Sequence, residues 1–265
     1  MPATDYLPRR LYNAFDRMGI SSDPLKGIIA LQDNPQFVSM FDHFWGTRSG
    51  TWPAGTNYAS TAGTGTEVIG ITQAINGTMT LTTGANASDS AGQGSGLNWS
   101  GDQGFYFICR LKLNTITTAK LEVGMTDAVN DDAGAVNVKA TPTFTATDCA
   151  VMVFDTDDDT NLTFVSNGGT TDANSDATGF TLAADTYFVV EVVGGGPTTA
   201  AGASTTGDNV AGYVNGIYVG GGNINGANAL TPWVHVTTRT TATRILTVDY
   251  WGCIGPVGPQ WGVAT

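Results

Sequence analysis

The sequence is poor in charged residues, and this shortage argues against several classes of partner. Only 13% of the 265 residues are charged, and 11 basic and 23 acidic side chains give a net charge of −12. A nucleic-acid-binding surface needs clustered lysine and arginine, and an anionic membrane attracts basic segments, so we expect neither partner. With 41% apolar residues, the chain still has enough apolar surface to form a core and is not typical of a disordered protein.

Long apolar runs and paired cysteines are also missing. No run approaches the roughly 20 residues that a membrane-spanning helix requires, and the N-terminal residues lack the apolar stretch of a signal peptide. Cys109, Cys149 and Cys253 are too few and odd in number for a disulfide framework, and their strand-like surroundings favour buried thiols. We therefore expect synthesis in a reducing cytoplasm without secretion.

Side chains that commonly carry catalysis are scarce. Glu67, Glu122 and Glu191 are the only glutamates and lie far apart in the sequence, whereas glycoside hydrolysis needs two carboxyl groups across one bond. The two histidines, His43 and His235, are accompanied by no Gly-x-Ser-x-Gly motif, and their separation excludes the usual zinc spacings. We expect Glu122, Glu191 and His235 on solvated strand faces, and we expect that the chain is not an enzyme.

The first 48 residues differ in pattern from the rest of the chain. Apolar side chains recur at helical spacing, which predicts one helix that ends at Gly19 and a second that starts at Asn34-Pro35. This region has five basic and five acidic side chains, so the remaining residues carry the whole negative charge. We interpret residues 1–48 as a helical N-terminal arm that docks on a partner. Its candidate docking residues are Leu7, Leu11, Phe15, Met18, Phe37 and Phe41.

Beyond the arm, the hydrophobic period changes to two, which predicts strands. In the clearest run, Phe105–Leu113, apolar side chains occupy every second position, whereas Arg110 and Lys112 point the other way. The dipeptide Asn215-Gly216 between two apolar pairs is typical of a two-residue hairpin turn. Since nothing after residue 50 has a helical pattern, we predict an all-β antiparallel two-sheet jelly-roll sandwich over residues 49–252. Residues 253–265 are predicted to form an extended C-terminal tail.

An acidic cluster joins two of the predicted strands. Asp155, Asp157, Asp159 and Asn161 place oxygen atoms at alternate positions, as calcium-binding loops do. However, Thr160 stands where such loops carry the glycine of a sharp turn. An acidic hairpin loop is therefore the alternative. We expect no required cofactor, with calcium as the candidate metal for this loop.

Tryptophan side chains are candidates for sugar contacts, because aromatic faces can stack on sugar rings. Trp52 and Trp99 lie in loop-like surroundings and could bind glycan or anchor an interface with another protein. Trp251 stands in a strand-like run, where we expect it in the core.

The strand-like segments also follow one another in a recognisable order. They are Gly77–Gly84, Phe105–Leu113, Leu121–Asp127, Val151–Asp157, Ala184–Tyr187, Tyr213–Gly216 and Leu246–Trp251. This order resembles the concanavalin A-like jelly-roll modules that are common in virion proteins of tailed bacteriophages. The resemblance implies a two-sheet sandwich that binds a ligand or builds a particle, usually as a homo-oligomer. Catalytic relatives carry a Glu-x-Asp-x-x-Glu strand, and its absence here again argues against hydrolysis.

The resemblance implies a place in a virion. Our first hypothesis is a capsid decoration (cement) protein, made in the bacterial host cytoplasm, that stabilises the phage head from its outer surface. It would dock on the major capsid protein through its arm and associate with itself, with a trimer as the expected symmetry. The alternative is a tail or fibre adhesin that binds host-surface glycan through Trp52 or Trp99. Copy number separates them, because decoration requires about as many copies as the shell protein.

Overall fold

A computed structural model describes most of the chain after the predicted arm. The described residues are 37–42, 68–72, 77–95, 99–101, 104–128, 134–169, 174–194 and 209–256, with the backbone alone described in 37–42 and 68–72 and at residues 174 and 256. Within these ranges, no helix has the length and hydrophobicity needed to cross a membrane. The predicted helix that carries Leu7, Leu11, Phe15 and Met18 lies outside the described residues.

Strands make up most of the described residues. In chain order they are β1 (Phe37–Asp42), β2 (Val68–Thr72), β3 (Thr78–Thr82), β4 (Ser90–Gly94), β5 (Trp99–Ser100), β6 (Phe105–Leu113), β7 (Ala119–Thr126), β8 (Val136–Val138), β9 (Thr143–Phe144), β10 (Cys149–Asp155), β11 (Asp159–Asn167), β12 (Asn174–Ala177), β13 (Phe188–Gly194), β14 (Val210–Val214), β15 (Ile217–Gly222), β16 (Ala229–Thr238) and β17 (Ile245–Pro256). The clearest alternating run of the sequence forms β6 with the predicted bounds.

In the described part of the chain, these strands form two large antiparallel sheets. The eight-stranded sheet has the order β15-β14-β13-β6-β17-β3-β2, with β1 also paired to β17. The seven-stranded sheet has the order β12-β11-β10-β7-β16-β4, with β5 also paired to β16. β8 and β9 form a separate hairpin. The predicted all-β jelly-roll sandwich is therefore confirmed.

The core lies between the two sheets and consists of alternate residues along each strand. Phe105 and Phe107 enter it from β6, and Leu121 and Val123 enter it from β7, all without exposed surface. Burying each large apolar side chain contributes about 1.5–3 kcal/mol, so this layer is the main source of stability. Trp251 and the three cysteines are buried, as the sequence predicts.

β1 corrects the predicted second helix and the predicted domain boundaries. β1 pairs antiparallel with β17, with Phe37 opposite Pro256 and Phe41 opposite Gly252. These two phenylalanines therefore lie in a strand of the sandwich. Their spacing fits a period of two as well as a helical period, and pairing with a long neighbouring strand decides between the two. Because β17 continues to Pro256, residues 253–256 also belong to the sheet and not to a tail.

The hairpin between β14 and β15 forms at the predicted dipeptide. Asn215 and Gly216 have φ angles of +47° and +87°, as a two-residue turn between twisted strands requires. The turn fixes the register so that Val214 lies opposite Ile217. This register determines which side chains of β14 and β15 become neighbours on the sheet surface.

Candidate functional site

Every tyrosine that the structure describes lies on the outer face of the eight-stranded sheet. On β6, the residues that alternate with the core phenylalanines point outward, and the other strands of this sheet follow the same alternation. We call this surface the tyrosine face. Its tyrosines are Tyr106, Tyr187, Tyr213, Tyr218 and Tyr250. They are five of the eight tyrosines in the sequence.

The most exposed tyrosine of the tyrosine face lies at its β15 edge. Tyr218 is 57% exposed, and among the described residues the only more exposed large apolar side chain is its sequence neighbour Ile217, which lies opposite the core residue Val214 on the other face of the sheet. Tyr187, Tyr213 and Tyr250 are half-buried. The outer face of an antiparallel sheet is commonly polar, so an aromatic outer face indicates contact with a ligand or another protein.

The sheet register places aromatic rings beside a buried carboxylate. Tyr218 lies opposite Tyr213, and their rings meet edge to face with 5.7 Å between centroids. Tyr213 in turn lies opposite Glu191 on β13. Glu191 accepts a hydrogen bond of 2.8 Å from the phenol of Tyr106, and both residues are 3% exposed. The expectation of a solvated Glu191 is therefore wrong, because tyrosine side chains bury it.

Ion pairs flank the rings of the tyrosine face. Arg110 pairs with Asp249, and its guanidinium carbon lies 4.2 Å from the ring centroid of Tyr187. Lys112 pairs with Asp185 at 3.3 Å, and its Nζ lies 5.3 Å from the same centroid. Cations at these distances are attracted to the ring face. The face therefore combines flat apolar surfaces with hydrogen-bonding groups that are held in place.

Tyr250 adds a hydroxyl donor at the far side of this face. It lies opposite Arg110 in the pairing of β17 with β6. Burial raises the pKa of Tyr250; the charge of Arg110 opposes this shift, and the charges of Asp249 and Glu191 add to it. The net pKa is raised, so the phenol keeps its proton and can donate a hydrogen bond at neutral pH.

The outer face of the seven-stranded sheet holds a second group of polar side chains, which is covered. Glu122 on β7 lies opposite His235 on β16, and the ring of His235 stacks on Trp233 with 5.6 Å between centroids. Trp233 Nε1 donates to Glu122 at 3.4 Å, and Lys120 Nζ lies 2.8 Å from the same carboxylate. All four residues are at most 3% exposed. The expectation of a solvated Glu122 and His235 is therefore wrong.

The segment 134–146, which contains β8 and β9, is anchored to this buried group. The amides of Ala135 and Val136 donate to the two carboxylate oxygens of Glu122 at 2.6 and 3.1 Å, and Lys120 donates to the carbonyl of Val136. Burial raises the pKa of Glu122, but the charges of Lys120 and His235 and the hydrogen bonds from Lys120 and Ala135 lower it below its ordinary value. Glu122 is therefore ionised, and its carboxylate is engaged in holding the segment.

β7 also shows why the glycosidase pattern is incomplete. Glu122, Gly124 and Asp127 stand at the three carboxyl positions of Glu-x-Asp-x-x-Glu, so a glycine replaces the middle carboxylate. Gly124 has a φ of +156°, and a Cβ there would lie 2.2 Å from the carbonyl oxygen of Ala150. Burial raises the pKa of Asp127 above its ordinary value, although hydrogen bonds from the backbone amides of Thr147 and Asp148 oppose this shift. Glu122 and Asp127 thus keep the spacing of the outer carboxyl groups of this motif, with aspartate in place of the last glutamate.

The acidic loop proposed for calcium is a hairpin that is tied to protein cations. Asp155 accepts two hydrogen bonds from Arg239, which also lies 3.3 Å from Asp157. Asp159 pairs with Lys139 at 2.7 Å. In the part of the chain that the structure describes, no group of three or more His, Cys, Asp or Glu side chains is placed to hold a metal ion. The segment is an acidic hairpin loop between β10 and β11, and calcium binding there stays a prediction.

Lys139 also contacts the remaining predicted ligand. Lys139 Nζ donates to the backbone carbonyl of Asn161 at 2.5 Å, in addition to its contact with Asp159. Arg239 and Lys139 thus supply the positive charge that the calcium prediction assigns to a metal ion.

Trp99 does not present a face to a sugar. It is 1% exposed, lies in the core cluster between the sheets and pairs with Leu230 on β16. The predicted glycan contact at Trp99 is therefore wrong, while Trp52 lies outside the described residues. For the tyrosine face, the sequence does hold one usable signal, the predicted hairpin turn. A two-residue turn places the tyrosines that flank it, Tyr213 and Tyr218, side by side.

Comparison with known proteins identifies the fold. No protein-family model and no curated protein sequence matches this chain. Among solved structures, a protein of unknown function from Shewanella oneidensis MR-1 is 12% identical, with a TM-score of 0.57 over 90% of this chain and 96% of that chain. A non-specific endo-beta-1,3(4)-glucanase from family GH16 is 11% identical, with a TM-score of 0.53 over 83% and 91%. The carbohydrate recognition domain of Emp47p is 10% identical, with a TM-score of 0.50 over 85% and 99%.

These similarities correct the prediction that the chain is not an enzyme. The prediction took the missing Glu-x-Asp-x-x-Glu strand as an argument against hydrolysis, yet the chain shares its fold with an endo-glucanase. Acid and nucleophile can come from different strands or loops, so a motif on one strand does not decide the question. At these identities the comparisons show the fold alone. The chain has the concanavalin A-like jelly-roll fold that lectin domains and glycanases also adopt.

Proposed function

We propose that this protein binds glycans and that the tyrosine face is the binding surface. The observation that carries the proposal is the concentration of all five described tyrosines on one sheet face, beside the paired charges of Arg110 and Lys112. Sugar rings present C–H surfaces that pack on aromatic faces, and hydroxyl groups that hydrogen-bond to charged side chains. Both kinds of partner lie together on this surface.

The fold supports a carbohydrate ligand. It is shared with the carbohydrate recognition domain of Emp47p and with an endo-beta-1,3(4)-glucanase, which both carry carbohydrate functions in their names. The outer face of the seven-stranded sheet is the less suitable surface, because Trp233 and His235 are fully buried there. Tyr218, in contrast, is accessible without any movement of the chain.

A glycan array with the purified full chain tests this proposal. We expect binding to at least one class of glycan by the native protein and by the Tyr213→Phe/Tyr218→Phe variant, which keeps both rings. The Tyr213→Ala/Tyr218→Ala variant should lose most of the signal while its circular dichroism spectrum is unchanged. If the native protein binds no glycan, the proposal is wrong. Incubating each bound glycan with the protein and measuring new reducing ends tests for cleavage.

More specifically, we propose that the protein is a tail or fibre adhesin of a tailed bacteriophage and that it binds host-surface glycan. Its support is the order of the strand-like segments together with the aromatic outer face. Quantitative mass spectrometry of purified particles tests this proposal. A few copies per particle are expected. A copy number near that of the major capsid protein would instead support a head decoration protein that docks through its arm.

A further inference from the structure

The tyrosine face is wide compared with one sugar. Tyr218 lies on β15 and Tyr250 on β17, and the strands β14, β13 and β6 lie between them. Neighbouring strands are about 4.8 Å apart, so these four steps span about 19 Å. A six-membered sugar ring is about as wide as a phenol ring, so one sugar can cover only one or two of these tyrosines.

The aromatic rings are spread over this width and are not gathered at one point. Tyr218 and Tyr213 form one group at the β15 edge, with 5.7 Å between their centroids. Tyr250 on β17 and Tyr213 on β14 pack against the same cluster of Tyr106, Ile108 and Val193, so a continuous apolar strip joins Tyr218 to Tyr250. A ligand that uses both ends of this strip must therefore run across the strands.

The charges on the face favour an uncharged ligand. Both cations near the rings are already paired, Arg110 with Asp249 and Lys112 with Asp185. A carboxylate or sulfate on the ligand would have to displace one of these aspartates, and it would approach Glu191 as well. The net charge of −12 on the whole chain adds a long-range repulsion of anions.

We infer that the ligand is an uncharged glycan chain of several sugars that lies across the strands from Tyr218 to Tyr250. This inference rests on the proposed function and adds the length, charge and direction of the ligand. Tyr218 and Tyr250, at the two ends of this span, act as separate subsites, so each added sugar strengthens binding until the span is filled. The ion pairs of Arg110 and Lys112 form hydrogen bonds with the hydroxyl groups of the glycan, and they do not neutralise a charge on it.

Isothermal titration calorimetry with oligosaccharides of defined length tests the inference. The probes are linear gluco-, manno-, galacto- and N-acetylglucosamine oligomers from the monosaccharide to the hexasaccharide, with oligogalacturonates and chondroitin sulfate oligomers as charged counterparts. We expect at least a tenfold gain in affinity from the disaccharide to the pentasaccharide of the preferred series, and at least tenfold weaker binding of charged oligomers. Equal affinity for short and long oligomers, or a preference for charged ones, overturns the inference while the proposed function stands.

Variants of Tyr250 test whether the bound glycan extends across the tyrosine face as far as β17. Tyr250→Leu keeps apolar packing without a flat ring, and it should reduce the affinity for the hexasaccharide about tenfold while leaving the disaccharide unchanged. Tyr250→Phe is the matched control: it keeps the flat ring and loses only the hydroxyl donor, so it should retain most of the affinity gained with length. If Tyr250→Leu leaves the whole length series unchanged, the ligand does not reach β17 and the inference is wrong. If no probe binds the native protein, both the proposed function and this inference are wrong.

Discussion

The phenol of Tyr106 donates a hydrogen bond of 2.8 Å to the carboxylate of Glu191 on the neighbouring strand. Both side chains point away from the core, yet each is only 3% exposed. A carboxylate in such a position costs free energy unless it is hydrogen-bonded, so this contact stabilises the centre of the tyrosine face. Since Glu191 lies opposite Tyr213, the contact also supports one of the rings of the proposed binding surface.

Replacing Tyr106 by phenylalanine should therefore destabilise the protein. We expect the free energy of unfolding to fall by about 1–3 kcal/mol, because a buried carboxylate loses a hydrogen-bond donor. Urea unfolding followed by circular dichroism measures this change. Tyr218→Phe is the matched control, and at 57% exposure it should change the free energy by less than about 0.5 kcal/mol. Equal effects of the two variants would contradict this role of Glu191.

Glu122 should be a strong determinant of stability at neutral pH. Glu122→Gln leaves Lys120 buried without its counter-charge and weakens the anchor of segment 134–146, so we expect a loss of about 3–5 kcal/mol. The double variant Lys120→Met/Glu122→Leu removes both charges and should lose less than the single variant. Urea unfolding at pH 7 measures all three proteins. A double variant as unstable as Glu122→Gln would show that the ion pair is not the cause.

The same carboxylate should make stability depend on pH in a defined direction. The pKa of Glu122 is lower in the folded state than in the unfolded chain, because Lys120, His235 and backbone amides outweigh the effect of burial. Its contribution is therefore complete above the unfolded pKa of about 4.3 and is lost as the pH falls through the folded pKa. The difference in unfolding free energy between native protein and Glu122→Gln should shrink in this acidic range. A difference that grows on acidification would contradict the lowered pKa.

Gly124 should tolerate no side chain. In Gly124→Ala the new Cβ would meet the backbone oxygen of Ala150, which cannot move without breaking the pairing of β7 with β10. We expect a loss of about 3 kcal/mol or more, or failure to fold. Gly179→Ala is the matched control, since Gly179 has a φ of +67° and open space around it, and should cost about 1 kcal/mol. Thermal unfolding that is equal for both variants would contradict the steric explanation.

The acidic hairpin should depend on Arg239 and not on calcium. Arg239→Gln leaves the buried carboxylate of Asp155 without its partner, and we expect a loss of about 3 kcal/mol. Arg110→Gln removes a more exposed ion pair and should cost less than about 1 kcal/mol. In differential scanning calorimetry, the native protein should have the same Tm in calcium chloride as in EDTA. A Tm that rises with calcium would show that a metal ion does bind.

Local sequence signals predicted the sandwich well. The alternation in Phe105–Leu113 gave the bounds of β6, and Asn215-Gly216 placed the β14–β15 turn, because both depend on residues that are close in sequence. The strand at Phe37 was missed because its apolar spacing also fits a helix, and only the pairing with β17 decides the outcome.

The environment of the candidate site depended on contacts that are distant in sequence. Glu122 and His235 alternate with apolar neighbours, as exposed strand residues do, and nothing nearby in sequence shows that segment 134–146 is anchored to Glu122. Trp99 was judged by its loop-like neighbours, but it pairs with β16 and enters the core. The tyrosine face was not anticipated because its members come from β6, β14, β15, β17 and the residue before β13.

The most direct test of the account is the affinity of the native protein and its tyrosine variants for the best glycan from the array, measured by calorimetry. We predict that Tyr213→Ala/Tyr218→Ala binds at least about tenfold more weakly, which corresponds to about 1.4 kcal/mol. The Tyr213→Phe/Tyr218→Phe variant should bind within about twofold of the native protein. Unchanged affinity in the alanine variant, with its fold intact, would contradict glycan binding at the tyrosine face.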